Sequence, residues 1–329
     1  MNKSIGFILI AVLLGSCHPE NSVEEEKTSF DIPYSQAVSF QHLTLYPVVA
    51  SNDFIQNNEG IKALVNLKDA IQEERFRITE KKPYGRSNDA GAVNVLTVQN
   101  KTPNTIFLMN GDIVQGGRQD RVLAQNRIIP PRTITDIDVF CVEKGRWEFR
   151  EEGEEENSQQ KQEEKKILAF RGYYNVASSQ VRRSMKYSNK QEEVWEQVSD
   201  ITSANEANSQ THAYADLETS ESYIQQRKTY LQAFESNFEL NENVIGLVAV
   251  SGSEILGTDI FGHPDLFRRQ YHSLLHSYIT DAITLKKEGS CSEERIKVYA
   301  DQLWTEYLKG GDGINKLDYQ GALVCFSKL

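Results

Sequence analysis

Two hydrophobic patterns follow one another along the chain. From Phe40 to Arg150, apolar and polar residues alternate in short runs such as RFRIT and TITDIDVFCV, which is the pattern of half-buried β-strands. From residue 167 onward, apolar residues recur every three or four positions, as in ESYIQQRKTYLQAFESNF, which is the pattern of amphipathic helices. The chain is therefore predicted to change from strands to helices near its middle.

Local signals place several of these elements. Asn66 suits the N-cap of a short helix, LKDAIQEE, and Pro264 suits the first turn of a long one. Lys101–Pro103 and Ser251–Ser253 each separate two strand-like runs, so each predicts a β-hairpin. The segment LDYQGALVCFS, near the end, predicts a closing strand that returns to the sheet.

These elements predict an α+β protein. An antiparallel β-rich core, either a sandwich or a partly open barrel, is expected over residues 40–150. A mainly helical half with a β-hairpin follows over residues 167–329 and packs on that core. Between them, residues 151–166 read EEGEEENSQQKQEEKK and have no apolar period, which predicts an acidic flexible insertion.

The N-terminus predicts a lipoprotein. A lysine and the apolar run Ile5–Leu14 suit the core of a signal peptide, and the run is too short for a permanent membrane helix. Leu14-Gly15-Ser16-Cys17 resembles a bacterial lipobox. We therefore expect residues 1–16 to be removed as a signal peptide and Cys17 to carry the lipid. Residues 17–39 are expected to form a polar tether.

The N-terminal signal sequence and the net charge of the chain predict where the protein is located and argue against one class of partner. The acidic tether directly after the lipidated cysteine resembles a surface-export signal, so we expect an outer-membrane lipoprotein of the cell envelope, held by its lipid. A net charge of −11 argues against nucleic-acid binding. The chain has no GxSxG, P-loop or GxGxxG motif, so neither an enzyme class nor a cofactor is indicated.

Cysteine and histidine spacing does not indicate a metal site. Besides Cys17, the chain has Cys141, which we expect to pack as an apolar residue, and Cys291 and Cys325, which are one candidate for a disulfide bond. His272 and His276 have the i, i+4 spacing of metal ligands, but no glutamate stands between them in an HExxH arrangement. We expect both histidines to lie on the surface.

The segment NGDIVQGGRQDRVLAQNRIIPP is the strongest candidate for a binding site. Gly116–Gly117 permits positive φ and leaves backbone N–H groups uncovered, which is the geometry of an anion-binding nest. Arg118 and Arg121 add guanidinium groups that match phosphate or carboxylate oxygens, and Gln119–Asp120 can orient a hydroxyl-bearing ligand. The alternative is a tight bulge whose arginines pair with nearby carboxylates.

A second motif, VEKGRWEFR, follows the next strand. It brings Glu143, Arg146 and Trp147 together on a glycine turn. A tryptophan beside an arginine either stacks on a flat ligand or covers the core, and core packing is the simpler role for Trp147.

Together these segments resemble the ADP-ribosylglycohydrolase and rhodanese-phosphatase associated protein domain, a largely uncharacterised family. The resemblance runs from about Leu43 to Leu285 and includes LTLYPVV, VNVLTVQNKT, FLMNGDIVQGGRQDRVL, DVFCVEKGRWEF, EVWEQV and LFRRQYHSLLHSY. It implies a β-rich core that binds an ADP-ribose-like or other phosphorylated ligand. The positions that match the family motifs are Asp112, Gly116, Gly117, Gln119, Asp120, Arg121, Glu143, Gly145, Arg146 and Trp147. Asp112 stands where relatives commonly show glutamate.

Three functions remain open at this point. The first is a non-catalytic envelope module that binds a small anionic or sugar-bearing ligand at Gly116–Arg121. The second is a metal-assisted hydrolase in which Asp112, Asp120 or Glu143 is a general base or metal ligand. The third is a structural or interaction protein of the outer membrane that meets a partner protein through its acidic insertion or its helical half.

Overall fold

The computed structural model describes residues 29–81, 94–146, 169–207, 209–238, 241–311 and 313–329. The signal peptide, Cys17, Trp147 and the acidic insertion at 151–166 lie outside the described residues. What is expected of them therefore stays a prediction.

Strands dominate the first half of the described chain and helices the second. The strands are β1 (Phe30–Asp31), β2 (Val38–Phe40), β3 (Leu43–Ala50), β4 (Val65–Asn66), β5 (Phe76–Glu80), β6 (Val95–Asn100), β7 (Ile106–Leu108), β8 (Asp112–Gly116), β9 (Arg121–Leu123), β10 (Arg127–Ile129), β11 (Thr133–Cys141), β12 (Ala169–Val176), β13 (Val244–Ser251), β14 (Glu254–Phe261), β15 (Ile314–Tyr319) and β16 (Ala322–Lys328). The α-helices are α1 (Asn52–Asn57), α2 (Leu67–Ala70), α3 (Ser179–Tyr187), α4 (Gln191–Ala204), α5 (Glu221–Phe234), α6 (Pro264–Leu285) and α7 (Glu293–Lys309). The predicted α+β class is confirmed.

A closed antiparallel barrel forms the β-rich core. Its strands follow the order β11-β6-β5-β12-β8-β9. Alternate residues point inward, so Phe76 and Ile78 of β5 and Ile137 and Val139 of β11 are buried in one apolar cluster. Of the two expected arrangements, sandwich or partly open barrel, the barrel is the one formed, and it is closed.

The hairpin predicted at Lys101–Pro103 is wrong. β6 pairs with β5 and β11 in the barrel, whereas β7 pairs with β10 and β4 in a small separate sheet. The buried Asn100 side chain explains the change of direction, because its amide donates to the carbonyl oxygens of Asn104, Ile129 and Pro130. The chain is thereby held away from β6.

A second sheet joins the two ends of the chain. Its order is β1-β3-β13-β14-β16-β15, with β2 paired to β3. The hairpin predicted at Ser251–Ser253 is confirmed, since β13 and β14 pair antiparallel across it. The closing segment forms the hairpin β15–β16 on the edge of this sheet. Because β3 lies beside β13, the β-rich half and the helical half share one sheet.

The last part of the predicted tether belongs to the fold. β1 pairs with the end of β3, and Phe30 and Ile32 are buried. The ring of Phe30 packs edge-on against Phe54 and Trp304. The described residues of the tether expected over residues 17–39 therefore belong to the fold, because apolar side chains among them pack in the core. Residues 17–28 lie outside the described residues.

The expected helix starts are present. The Asn66 side chain accepts a hydrogen bond from the amide of Asp69 at 3.0 Å, and Pro264 occupies the first turn of α6. None of the described helices is long and apolar enough to cross a membrane.

A buried ion pair joins barrel and sheet. Arg182 of α3 donates to both carboxylate oxygens of Asp259 on β14, at 2.9 and 2.7 Å, and neither side chain is exposed. Tyr278 and Ser327 also donate to Asp259. The Arg182 Nε atom donates to Asn110 in the turn before β8, so the barrel is fixed to the sheet through one guanidinium group.

The cysteines among the described residues are reduced and buried. Cys141, Cys291 and Cys325 are all free thiols, so the candidate bridge between Cys291 and Cys325 is not formed. The two residues belong to different apolar clusters, which accounts for their separation. Cys141 is buried in β11, as expected, and burial raises the pKa of its thiol to about 11.

Candidate functional site

The diglycine bend lies between β8 and β9 and is covered by other residues. Gly116 and Gly117 have φ of +133° and +53°, as their sequence predicts. A Cβ atom on Gly116 would lie 2.7 Å from the carbonyl oxygen of Ala169. One on Gly117 would lie 2.7 Å from the ring of Phe170 and 2.8 Å from a Glu80 oxygen. The bend therefore requires glycine because β12 and Glu80 approach its backbone closely.

The amides of the bend bind groups of the protein itself. Gly116 N donates to Asp120 Oδ1 at 3.2 Å, and Arg118 N donates to Glu80 Oε1 at 2.7 Å. Gly117 N donates to the carbonyl oxygen of Ala169 at 3.4 Å. The nest geometry is present, but carboxylates of the same chain occupy two of its donors.

Arg146 connects the two predicted motifs. Its Nε and Nη2 atoms donate to the Glu143 carboxylate at 2.8 and 2.6 Å, and Nη2 also reaches Asp120 Oδ1 at 3.2 Å. Its Nη1 atom donates to the carbonyl oxygen of Gly117 at 2.9 Å. Glu143 accepts the amide of Asp120 at 3.0 Å. We call this network of Glu80, Gly116–Arg121, Glu143 and Arg146 the clasp.

Arg121 lies inside the clasp and is only 1% exposed. Its Nη1 atom donates to the main-chain and side-chain oxygens of Gln119, at 3.0 and 3.2 Å. Its Nη2 atom lies 4.0 Å from Glu80. The three arginines of the clasp are balanced by the three carboxylates of Glu80, Asp120 and Glu143. The structure thus places the predicted residues Gly116–Arg121, Glu143 and Arg146 together, and most of their donors bind groups of the protein itself. Among the described residues, the buried Nε atom of Arg121 has no hydrogen-bond partner. Ligand binding by the clasp stays a prediction.

Asp112 is not part of the clasp. It begins β8, whereas the diglycine bend lies at the other end of that strand. It is fully buried and accepts hydrogen bonds from Met109 N at 2.8 Å and from the Tyr173 hydroxyl at 2.9 Å. Burial raises its pKa to about 7, although both hydrogen bonds and Arg182 act in the opposite direction.

A cleft beside the clasp contains residues that the sequence did not single out. It measures about 500 Å³ and is lined by Lys144, Glu192, Trp195, Glu196, Ser199, Asp200 and His212. Lys144 Nζ lies 5.5 Å from the centre of the Trp195 ring. The indole N–H of Trp195 is buried and has no hydrogen-bond partner among the described residues. We call this cavity the Trp195 cleft.

Two contacts hold the walls of the Trp195 cleft in place. Gln191, at the start of α4, exchanges hydrogen bonds of 2.8 Å with both the N–H and the C=O of Cys141. Gly145 N donates to Thr211 O at 2.7 Å, and a Cβ on Gly145 would meet the Gln210 carbonyl oxygen at 2.6 Å. Gly145 is therefore needed for close packing. In the sequence, Trp195 stands out only as part of the family segment EVWEQV, so its place in a cleft was missed.

The two histidines of α6 are half-buried and do not lie fully on the surface as expected. The His272 and His276 rings are 5.0 Å apart. Burial and, to a smaller extent, the neighbouring His272 lower the pKa of His276 to about 3. In the described parts of the chain, no group of three or more His, Cys, Asp or Glu side chains is arranged to hold a metal ion.

The fold and site define an α+β protein built on a closed six-stranded barrel with a motif-bearing clasp at one end. The sequence profile of the ARG and Rhodanese-Phosphatase-superfamily-associated Protein domain (ARPP-1) matches residues 31–312. The chain therefore belongs to this family, and the predicted resemblance is confirmed. Searches of curated proteins and of solved structures found no match.

Proposed function

We propose that this protein is a lipid-anchored member of the ARPP-1 family in the cell envelope and that its domain binds a small sugar-bearing ligand without catalysing a reaction. The site that we propose is the Trp195 cleft. The clasp is assigned a supporting role, because its own carboxylates already bind the guanidinium group and amides on which an external anion would depend.

The observation that carries this proposal is the meeting of two family segments at one cavity. Lys144 comes from CVEKGRW, and Trp195 comes from EVWEQV, about fifty residues later in the chain. Both line the Trp195 cleft, and the indole N–H of Trp195 is buried and has no acceptor among the described residues. A buried donor without a partner costs free energy, so a ligand oxygen in this position is favoured.

The lining of the cleft favours hydroxyl groups over phosphate. Glu192, Glu196 and Asp200 stand one turn apart on α4 and provide carboxylate acceptors. Lys144 is a positively charged residue of the lining, and it already lies against the indole ring. A sugar supplies both hydroxyl donors for the carboxylates and oxygen acceptors for the indole. A phosphorylated ligand such as ADP-ribose meets three like charges there.

Ligand titration tests the site. We expect full-length protein in detergent to bind neutral oligosaccharides, with binding measured by calorimetry. ADP-ribose and anionic glycans should bind at least tenfold more weakly, a difference in binding free energy of about 1.4 kcal/mol or more. Trp195→Phe keeps an aromatic ring, though a smaller one, and removes the N–H, and Glu196→Gln removes one carboxylate. Both are expected to weaken binding about tenfold.

The matched control is Glu221→Gln, an exposed acid at the start of α5 that should leave binding unchanged. Equal binding by the Trp195→Phe variant and the parent protein would remove the cleft from the proposal. The absence of measurable binding to every neutral oligosaccharide tested would do the same.

The lipid anchor is tested separately. We expect cells to incorporate labelled fatty acid into the parent protein but not into Cys17→Ser, because the acyl groups are attached to this thiol. The variant should also leave the membrane fraction, since the acyl chains supply the membrane affinity. Cys291→Ser, which changes a different thiol, is the control; labelling of Cys17→Ser would contradict lipidation at this position.

The hydrolase alternative has less support. Asp120 and Glu143, two of its three candidate bases, both bind Arg146. The third, Asp112, is buried away from the clasp.

A further inference from the structure

The face of α6 that packs against the barrel carries a row of buried polar residues. Gln270, Ser273, Ser277 and Asp281 recur at a spacing of three or four, and each is at most 1% exposed. Two of them have partners. The Ser277 hydroxyl donates to Ala177 O at 2.7 Å, and Asp281 accepts the amide of Ser179 at 2.8 Å.

The other two residues of this row are unpartnered. Among the described residues, neither polar atom of the Gln270 carboxamide has a hydrogen-bond partner, and neither does the hydroxyl oxygen of Ser273. Polar atoms buried to this degree are nearly always hydrogen-bonded in folded proteins. One turn of α6 therefore presents three unsatisfied atoms to the barrel.

This turn lies against a seam in the barrel wall. Among the described residues, β12 pairs with β5 at Ala169 and Phe170, and further along β12 packs against α6. Burial raises the pKa of the Tyr173 phenol, and Ser273, which lies beside its hydroxyl, acts in the opposite direction. The contact between Ser273 and Tyr173 does not have the geometry of a standard hydrogen bond. Asn66 donates to the carbonyl oxygen of Arg269, so the end of β4 closes the same turn.

The unsatisfied atoms indicate what kind of molecule is missing. A carboxamide has a donor and an acceptor, so its partner must both accept and donate, as a hydroxyl group does. The partner should be neutral, because the surroundings disfavour charge: Asp112, hydrogen-bonded to Tyr173, has its pKa raised to about 7 by burial.

We propose that Gln270, Ser273 and Tyr173 form a second binding site, the seam site, for a small neutral molecule that bears a hydroxyl group. The seam site is separate from the Trp195 cleft and does not depend on the function proposed for it. Gln270 and Ser273 lie within LFRRQYHSLLHSY, one of the segments that match the family, so the family segment supplies the polar atoms of the site.

Crystals of the full-length protein soaked in glycerol test the seam site directly. We expect density for glycerol with oxygen atoms within hydrogen-bonding distance of Gln270 and Ser273. Glycerate, its carboxylate counterpart, should not bind. Density for water alone at these side chains, or a Gln270 carboxamide turned onto a partner in its own chain, overturns the proposal.

A stability measurement gives an independent readout. Gln270→Met keeps the volume of the side chain but removes its two polar atoms, and Gln225→Met makes the same change at an exposed position of α5. We expect glycerol to raise the melting temperature of the parent protein and of Gln225→Met by about 3 °C more than that of Gln270→Met. If Gln270→Met melts higher than the parent without glycerol and gains equally from it, the carboxamide has no bound partner and the seam site is wrong.

Discussion

Asp259→Ala is expected to destabilise the protein by about 3–5 kcal/mol, the range for breaking a fully buried ion pair. The variant leaves the Arg182 guanidinium buried without its carboxylate and removes the acceptor of Tyr278 and Ser327. Urea unfolding at neutral pH measures the loss. Asp301→Ala, at an exposed position of α7, should change the free energy of unfolding by less than about 0.5 kcal/mol.

The double variant Arg182→Met, Asp259→Leu separates charge from packing. Since apolar residues can replace a buried ion pair with little loss, it should be more stable than Asp259→Ala. Burial alone would raise the pKa of Asp259, but Arg182 and the hydroxyl donors outweigh it and lower that pKa. The pair therefore stabilises the fold above the ordinary aspartate pKa, and this contribution is lost as the pH falls through the lowered value. Equal stability of Asp259→Ala and Asp301→Ala would contradict the role of the Arg182–Asp259 ion pair in holding the barrel to the sheet.

Arg146→Ala is expected to cost about 3 kcal/mol of unfolding free energy, because Asp120 and Glu143 are each 1% exposed and lose their positive partner. Arg146→Lys should recover part of this loss, since an ammonium group keeps the charge but cannot form the two-atom contact to Glu143. Arg127→Ala, an exposed arginine of β10, is the control. Urea unfolding again provides the measurement.

The same experiment distinguishes a clasp from an anion site. If the clasp is structural, sulfate or phosphate at moderate concentration should stabilise the parent, Arg127→Ala and Arg146→Ala equally. Two results together would support the anion-binding interpretation instead. Phosphate would stabilise the parent but not Arg146→Ala, and Arg146→Ala would be nearly as stable as the parent when phosphate is absent.

The fold class was predictable because burial produces regular spacing. Phe76 and Ile78 alternate with polar residues on β5, and Tyr223, Tyr230 and Phe234 recur at helical spacing on α5; all are buried as that spacing requires. Such patterns report which face of an element is covered. They do not report which element covers it.

That limit accounts for the errors. The hairpin at Lys101–Pro103 was predicted from local turn residues, but Asn100 binds the carbonyl oxygens of Ile129 and Pro130, thirty residues away. Likewise, the glycines and arginines of the clasp were found from their motif. The carboxylate of Glu80, on another strand, was not identifiable as the partner of the Arg118 amide.

The pairing of β3 with β13 has a consequence for how the protein reaches its native state. Leu43 lies opposite Ser251, so the strand made early in synthesis has its neighbour about 200 residues later. Contacts between such distant parts of a chain form slowly, because the ends of a long loop must first meet. Most of the polypeptide must therefore be synthesised before β3 can pair with β13. Until then the apolar residues of β3 stay exposed, where chaperones can bind them.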